Sequence, residues 1–266
     1  MKGRVLIVAG SDSGGGAGIQ ADIKTVTMLD AFAATAITAL TAQNTEGVFG
    51  VLPIAPEFIR QQIEVVLDDI GADAVKTGML HDAGVIEVVA SVLSERAPAT
   101  PLVVDPVMVA KGGAPLIEPG AIAALKRLLI PRAAVLTPNL PEAEILAGRT
   151  IDSLAAMQDA AEQLLGLGCR AVLLKGGHLP GAEVCDVLVS AGGRRFWRSA
   201  RIDTRHTHGT GCTLASAIAA GLAQGFAVEA AVERAREYVR RAILNAPGFG
   251  RGHGPLDHAH PLRSSD

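Results

Sequence analysis

The stretch Val5-Leu6-Ile7-Val8-Ala9-Gly10-Ser11-Asp12-Ser13-Gly14-Gly15-Gly16-Ala17-Gly18-Ile19 decides the fold. It opens on an apolar run too short for a signal-peptide core but suited to a strand covered on both faces. A glycine-rich turn follows, and Ile19, Ile23, Val26 and Leu29 then recur along one helical face. A buried strand, a tight turn and a helix make the first half of a β–α–β unit, which implies a parallel sheet.

The same rhythm runs along the chain. Further strands are predicted at 33–40, 74–77, 102–105, 134–137 and 171–175. Ile59, Ile63, Val66 and Ile70 share a helix face, as do Leu154, Met157, Ala161 and Leu164. Pro119 opens another helix, where its missing N–H costs nothing. One segment breaks the rhythm: 184–190 and 195–199 flank Ala191-Gly192-Gly193 and read as a β-hairpin. Two helices close the fold, near 210–224 and 228–246. The segment from Pro247 to Asp266, rich in Gly, Pro and His, reads as a loosely packed tail. The expectation is a single α/β domain over residues 1–266, its core at about 4–246, with a mostly parallel central sheet and a peripheral β-hairpin.

Composition narrows the function. The chain has 266 residues, 49% hydrophobic and 19% charged, enough apolar matter for a large core and too much for disorder. Aromatic residues are only 3% and the net charge is −3, which argues against a base-stacking or basic nucleic-acid binder. Arg194, Arg195, Arg198, Arg201 and Arg205 cluster, but on an alternating hairpin they read as a solvated face. Cys169, Cys185 and Cys212 form no CxxC pair, so neither a disulfide frame nor a zinc site is indicated. No apolar run spans a bilayer, and a cytoplasmic enzyme with no membrane contact is expected.

Three readings compete for the first glycine loop. A Walker A loop fails, because Lys24-Thr25 follows Ile23 rather than Gly. A dinucleotide fingerprint fits Gly16-x-Gly18-x-x-Ala21 only weakly, since Asp12 and Asp22 would set negative charge beside the pyrophosphate. That reading would make the protein an NAD-dependent oxidoreductase, but Gln43-Asn44 stands where a ribose-binding acid belongs. The third reading is a substrate pocket in which Asp22 accepts hydrogen bonds from an uncharged polar ligand. Glycine there brings backbone close to the ligand and offers free N–H groups. A merely tight turn would not need so many glycines.

His208-Gly209-Thr210-Gly211-Cys212-Thr213 precedes a clear helix face at Leu214, Ala215, Ile218 and Leu222. Successive N–H groups at a helix N-terminus form an anion hole suited to a transferring phosphoryl group. Cys212 in the first turn should have its thiol pKa lowered by the helix dipole. A bland reading, close helix packing with an ordinary buried cysteine, stands beside it. Acyl transfer through Cys212 would need a histidine partner, His206 or His208.

Ligands of open α/β sheets sit outside the carboxyl ends of the strands. Polar residues recur there: Gln43, Lys76-Thr77, Asp105, Thr137, Asn139 and Lys175. Asp105, Asn139 and Glu142 could hold magnesium directly or through water, and Lys175 could neutralise phosphate charge. Each also has a plain structural role as a strand end or helix cap. Their repetition at one edge points to a nucleotide-using transferase.

Taken in order, Gly10–Gly18, Thr41-Ala-Gln43-Asn-Thr45, Lys76-Thr-Gly-Met79, Asp105-Pro-Val-Met108, Thr137-Pro-Asn-Leu-Pro-Glu142, Lys175-Gly-Gly-His178 and His208-Gly-Thr-Gly-Cys212 closely resemble the hydroxymethylpyrimidine/phosphomethylpyrimidine kinases of thiamine biosynthesis. These belong to the ribokinase-like superfamily, a three-layer α/β/α sandwich. The resemblance covers about residues 4–246. It implies phosphorylation of 4-amino-5-hydroxymethyl-2-methylpyrimidine by ATP with Mg2+, first to the monophosphate and then to the diphosphate. It places the pyrimidine at Gly10, Asp22, Gln43, Met79 and Val107. ATP falls at Lys175, Asn139, Thr204, Gly209 and Gly211, and the metal at Asp105 and Glu142. Catalysis falls to Gly209, Thr210, Gly211 and Cys212, with Cys212 as either the base or part of the anion hole. Homodimers are usual in the family. Two departures stand out, Ser13-Gly14 in the first loop and His206 where Asn is frequent, the latter near adenine or ribose. The nearest alternative is a pyridoxal/pyridoxine kinase of the same fold. Since the chain ends soon after its last helix, no fusion to another thiamine enzyme is expected.

Overall fold

Every residue of β1 (Arg4–Ala9) except the first is buried. The alternation of a strand sends Leu6 and Val8 into one apolar core and Val5, Ile7 and Ala9 into the other. The computed structural model describes residues 1–108 and 117–263. Its main sheet adds β2 (Phe32–Ile37), β5 (Ala74–Thr77), β6 (Leu102–Val104), β7 (Val135–Leu136), β8 (Ala171–Leu174), β9 (Glu183–Ser190) and β10 (Gly193–Ala200). The spatial order is β10-β9-β8-β7-β6-β5-β1-β2. From β8 to β2 all pairings are parallel, and β9 and β10 are antiparallel.

On one face lie α2 (Pro56–Asp69), α3 (Ala83–Arg96), α4 (Pro119–Ala124), α5 (Leu140–Ala147) and α6 (Leu154–Leu165). Their core includes Ile59, Ile63, Val85, Ile86, Leu146, Met157 and Leu164, all buried. The other face carries α1 (Gly18–Met28), α7 (Thr210–Ala223) and α8 (Val228–Leu244), packed through Ile19, Val26, Ile218, Val232 and Val239. The result is three layers, helices over both faces of one sheet. No helix among the described residues is long and apolar enough to cross a membrane.

Two expectations change. The single strand predicted at 33–40 is broken at Thr38, whose hydroxyl donates to the Met79 carbonyl at 2.6 Å. Beyond it, β3 (Ala39–Gln43) leaves the main sheet and pairs with β4 (Val48–Pro53) in a separate antiparallel hairpin. That hairpin escapes a periodicity test because Leu40, Phe49, Val51 and Leu52 are exposed, so no buried face imposes an alternation. The hairpin predicted at 184–199 is present as β9–β10, and β9 joins it to the main sheet through β8.

The tail is not loose. Leu256, His258 and His260 are buried, the Tyr238 hydroxyl donates to the His258 carbonyl at 2.7 Å, and Thr213 Oγ1 bonds His258 Nε2 at 2.9 Å. A few buried apolar and hydrogen-bonding anchors suffice to hold a glycine-rich segment; residues 264–266 lie outside the described residues.

Burial pushes the His258 pKa down to about 4. Its neutral form is therefore favoured by folding, and that stabilisation is lost as pH falls from the ordinary value, 6.5, through about 4. Urea unfolding of wild type and His258→Gln across this window should show wild-type stability falling more steeply with acid, by on the order of 1–3 kcal/mol.

Candidate active site

The parallel strand order reverses between β1 and β5, and a cavity of about 890 Å³ opens at the carboxyl ends of the strands there. Gly10, Gln43, Met79, Val107, Asp105, Asn139, Glu142, Lys175 and Gly209–Cys212 all line it. Those residues come from seven separated segments. Gly10 lies directly against Met79, whose Cε would stand 2.6 Å from a Cβ at that position.

Asp22 does not reach the cavity. It is fully buried, with Oδ2 accepting from Lys76 Nζ at 2.7 Å and Oδ1 from the Ser216 hydroxyl at 2.7 Å. Asp22 therefore lies beneath the cavity, paired with Lys76 and Ser216. Burial alone would lower the Lys76 pKa, but Asp22 and Asp105 hold it above its ordinary value, so the ammonium persists.

Thr204 is also set apart from the other expected site residues. Its hydroxyl accepts from the His206 N–H at 3.1 Å, shaping the loop, and it does not line the cavity. His206 likewise misses the cavity and packs beneath the tail, its ring close to Gly254.

The two glycine loops differ. In the first, the N–H groups of Gly14, Gly16 and Ala17 are already taken by the Asp12 carboxylate at 2.8, 3.1 and 2.8 Å. That loop is folded around its own anion, which corrects the expectation of free N–H groups for a ligand. In the second, Gly209 sits at φ 81° as the N-cap of α7 and has no side chain to cap it. The first-turn N–H groups of Gly211 and Cys212 have no intrahelical acceptor, and both residues line the cavity, whereas the Thr210 N–H donates to the Thr207 carbonyl at 3.4 Å.

Cys212 departs from the dipole argument. Burial pushes its thiol up to about 12 despite the pull of Lys76, and Asp22 and Asp105 add to the rise. Desolvation of a thiolate outweighs the helix dipole here, so the resting side chain is a neutral thiol.

Opposite the nest, Asp105 Oδ1 accepts from Lys175 Nζ at 3.2 Å and from the Thr137 hydroxyl at 3.1 Å. Burial would lower Lys175, but Asp105 and Glu142 raise it. Asn139 and Glu142 form a reciprocal capping box on α5, at 2.8 and 2.9 Å, while still lining the cavity. The structural and functional readings of that pair thus hold together. Burial, with Asp105 adding, drives Glu142 up to about 7 against the pull of Lys175.

Sequence reasoning missed Lys76 as the buried counter-ion and His208 as the partner of Asp12, at 2.8 Å. Neither pairing has a local signature, since the partners lie 54 and 196 residues apart.

An anion-binding helix terminus, a lysine and paired carboxylates at a sheet switch point define a phosphotransferase site. The phosphomethylpyrimidine kinase profile matches residues 12–257, and the chain belongs to that family. It is similar to the hydroxymethylpyrimidine/phosphomethylpyrimidine kinase of Bacillus subtilis, at 52% identity over 98% of this chain and 97% of the relative. Among solved structures, the ADP complex of Bacillus subtilis pyridoxal kinase superposes with a TM-score of 0.91 at 38% identity, covering 99% of both chains. Clostridium difficile phosphomethylpyrimidine kinase gives 0.81 at 42%, over 91% of this chain and all of that one. The fold is therefore ribokinase-like.

Glu142 keeps a proton in the folded protein that the unfolded chain releases above pH 4.5, so it lowers stability as pH rises toward about 7. Without ligands at pH 8, Glu142→Gln should gain on the order of 1–2 kcal/mol in chemical unfolding, and the gain should vanish below pH 4.5.

Proposed function

We propose that this chain phosphorylates the hydroxymethyl group of 4-amino-5-hydroxymethyl-2-methylpyrimidine with ATP, and then converts the monophosphate to the diphosphate, within thiamine biosynthesis. The observation that carries this reading is a continuous cavity joining two chemistries. Gly10, Gln43, Met79 and Val107 supply a small, part-polar pocket at one end, and the open turn of α7 with Lys175 supplies anion binding at the other.

Gln43 carries both amide donors and a carbonyl acceptor, which suits an aminopyrimidine edge. The N–H groups of Gly211 and Cys212 would bind the oxygens of the transferring phosphoryl group, and Lys175 the ATP phosphates. A Cβ at Gly211 would stand 3.2 Å from Lys175 Nζ, so a side chain there would crowd the gap between nest and lysine.

Magnesium fits the residues present. Asp105 and Glu142 are hard oxygen donors, and burial, with a smaller push from Asp105, drives Glu142 upward. Among the described residues no group of three or more His, Cys, Asp or Glu gathers to hold a metal unaided. A cation that keeps waters and phosphate oxygens as its remaining ligands matches two carboxylates. When bound, it would offset the charge of the polyphosphate.

In the transfer, the substrate hydroxyl oxygen bonds to the γ-phosphorus as the bond to the β–γ bridging oxygen breaks, releasing ADP and the hydroxyl proton. Such a loose transition state asks more for charge stabilisation than for a strong base. The neutral Cys212 thiol therefore supports a role for that residue through its backbone N–H in the anion hole. Assembly as a homodimer belongs to the same reading, with Leu40, Phe49 and Leu52 on β4 and β3 as exposed apolar surface; light scattering should give twice the chain mass.

Purified protein with ATP and magnesium should form the pyrimidine monophosphate and then the diphosphate, resolved by mass. Turnover of pyridoxal alone would overturn the substrate. Lys175→Ala should lower kcat/KM for ATP about 100-fold.

A further inference from the structure

We propose that Asp12 and His208 form a positioning pair that locks Gln43, the first glycine loop and the N-terminus of α7 into one arrangement. The inference rests on the kinase reading above and adds to it two residues that need not touch the substrate.

Asp12 is buried, and its carboxylate binds four donors. Gly14 reaches Oδ1, while Gly16, Ala17 and His208 Nε2 reach Oδ2. Burial alone would raise its pKa, but His208 and the N–H groups of Ala17 and Gly14 outweigh that and hold it below the ordinary value. An ionised Asp12 accepts, so His208 Nε2 carries the proton and donates it across the 2.8 Å contact.

This proton assignment decides what Gln43 can do. Its amide nitrogen lies 3.3 Å from the same His208 Nε2. A protonated Nε2 has no lone pair for an amide N–H, so the orientation of the Gln43 amide is tied to the His208 proton. The Thr41 hydroxyl, which donates to the Ser11 carbonyl at 2.8 Å, lies 3.1 Å from the Gln43 side chain and adjoins the amide.

The same histidine is the residue directly before the Gly209 N-cap. Its own N–H donates to the Gly254 carbonyl at 3.2 Å, and its ring lies over Gly16, where a Cβ would be 2.6 Å from Cδ2. At Gly209 the contact is tighter still, since a Cβ would be 1.8 Å from the Gly16 oxygen. Movement of His208 would therefore displace both the first loop and the anion-binding turn. One side chain registers the pyrimidine end of the cavity against the phosphoryl end, and small misplacements of reacting groups carry large rate losses.

Kinetics of His208→Ala, Asp12→Ala, the double variant and His208→Gln would test the pair. Each single alanine variant should lose about 10–100-fold in kcat/KM for the pyrimidine, through both KM and kcat, with KM for ATP within about threefold. The double variant should be no worse than the poorer single one, and His208→Gln, which keeps an N–H for Asp12, should recover most of the loss. Additive losses, no recovery by glutamine, or activity within about threefold of wild type would overturn the proposal. Asp12→Ala risks unfolding the loop, so the side-chain amide NMR signals of Gln43 are compared in His208→Ala and wild type. Those signals should shift while Gln62, bonded to both backbone groups of Ile37, stays unchanged. If wild type makes no pyrimidine phosphate, the kinase reading fails and the NMR arm alone decides on the pair; an unmoved Gln43 sinks it.

Discussion

Lys76 places a positive charge on the middle of a buried strand, and much of the active-site floor depends on how that charge is met. Its ammonium is fully buried and rests on Asp22 from α1, which in turn holds Ser216 from α7. A buried ion stripped of its partner costs about 3–5 kcal/mol, so strand β5 and these two helices are constrained together. The pair does more than hold helices over a sheet. It also sets opposing charges beneath Cys212, the Lys76 ammonium favouring a negative charge there and the Asp22 carboxylate opposing it.

Two glycine-rich turns sit beside each other above this floor, with opposite uses. The first wraps its N–H groups around Asp12 and becomes a rigid wall. The second leaves its N–H groups open because Gly209 provides no capping oxygen. Glycine is needed at Gly209 for two reasons, its positive φ and the nearness of the Gly16 carbonyl. The loops thus meet backbone to backbone, a closeness that any side chain at the contact would prevent.

Much of the architecture was legible in the chain. The buried strands β1, β5, β6, β7 and β8 stand out as short apolar runs, and their ends were located within about a residue because polar residues follow at the cavity edge. The β3–β4 hairpin was not legible, since its apolar side chains are exposed and obey no alternation. The tail was misread because composition registers glycine and proline but not the three anchors Leu256, His258 and His260. At the site, Gly10, Gln43, Met79, Val107, Lys175 and Glu142 do line one cavity, while Asp22 and Thr204 do not. Whether a carboxylate faces a ligand or a buried lysine depends on what packs behind it. The residue itself carries no mark of the difference.

The sequence by itself determined the layered fold, the order of the strands along the chain and the small set of polar residues at strand ends. Those features are local, written in hydrophobic periodicity and in the residues that end strands and begin helices. Only the tertiary structure decided which charges pair, which N–H groups stay open and whether Cys212 ionises. The partners in those decisions come from distant elements, as Asp12 and His208 show across 196 residues. Their energies turn on burial and on distances of a few ångströms, which exist only once the chain has folded.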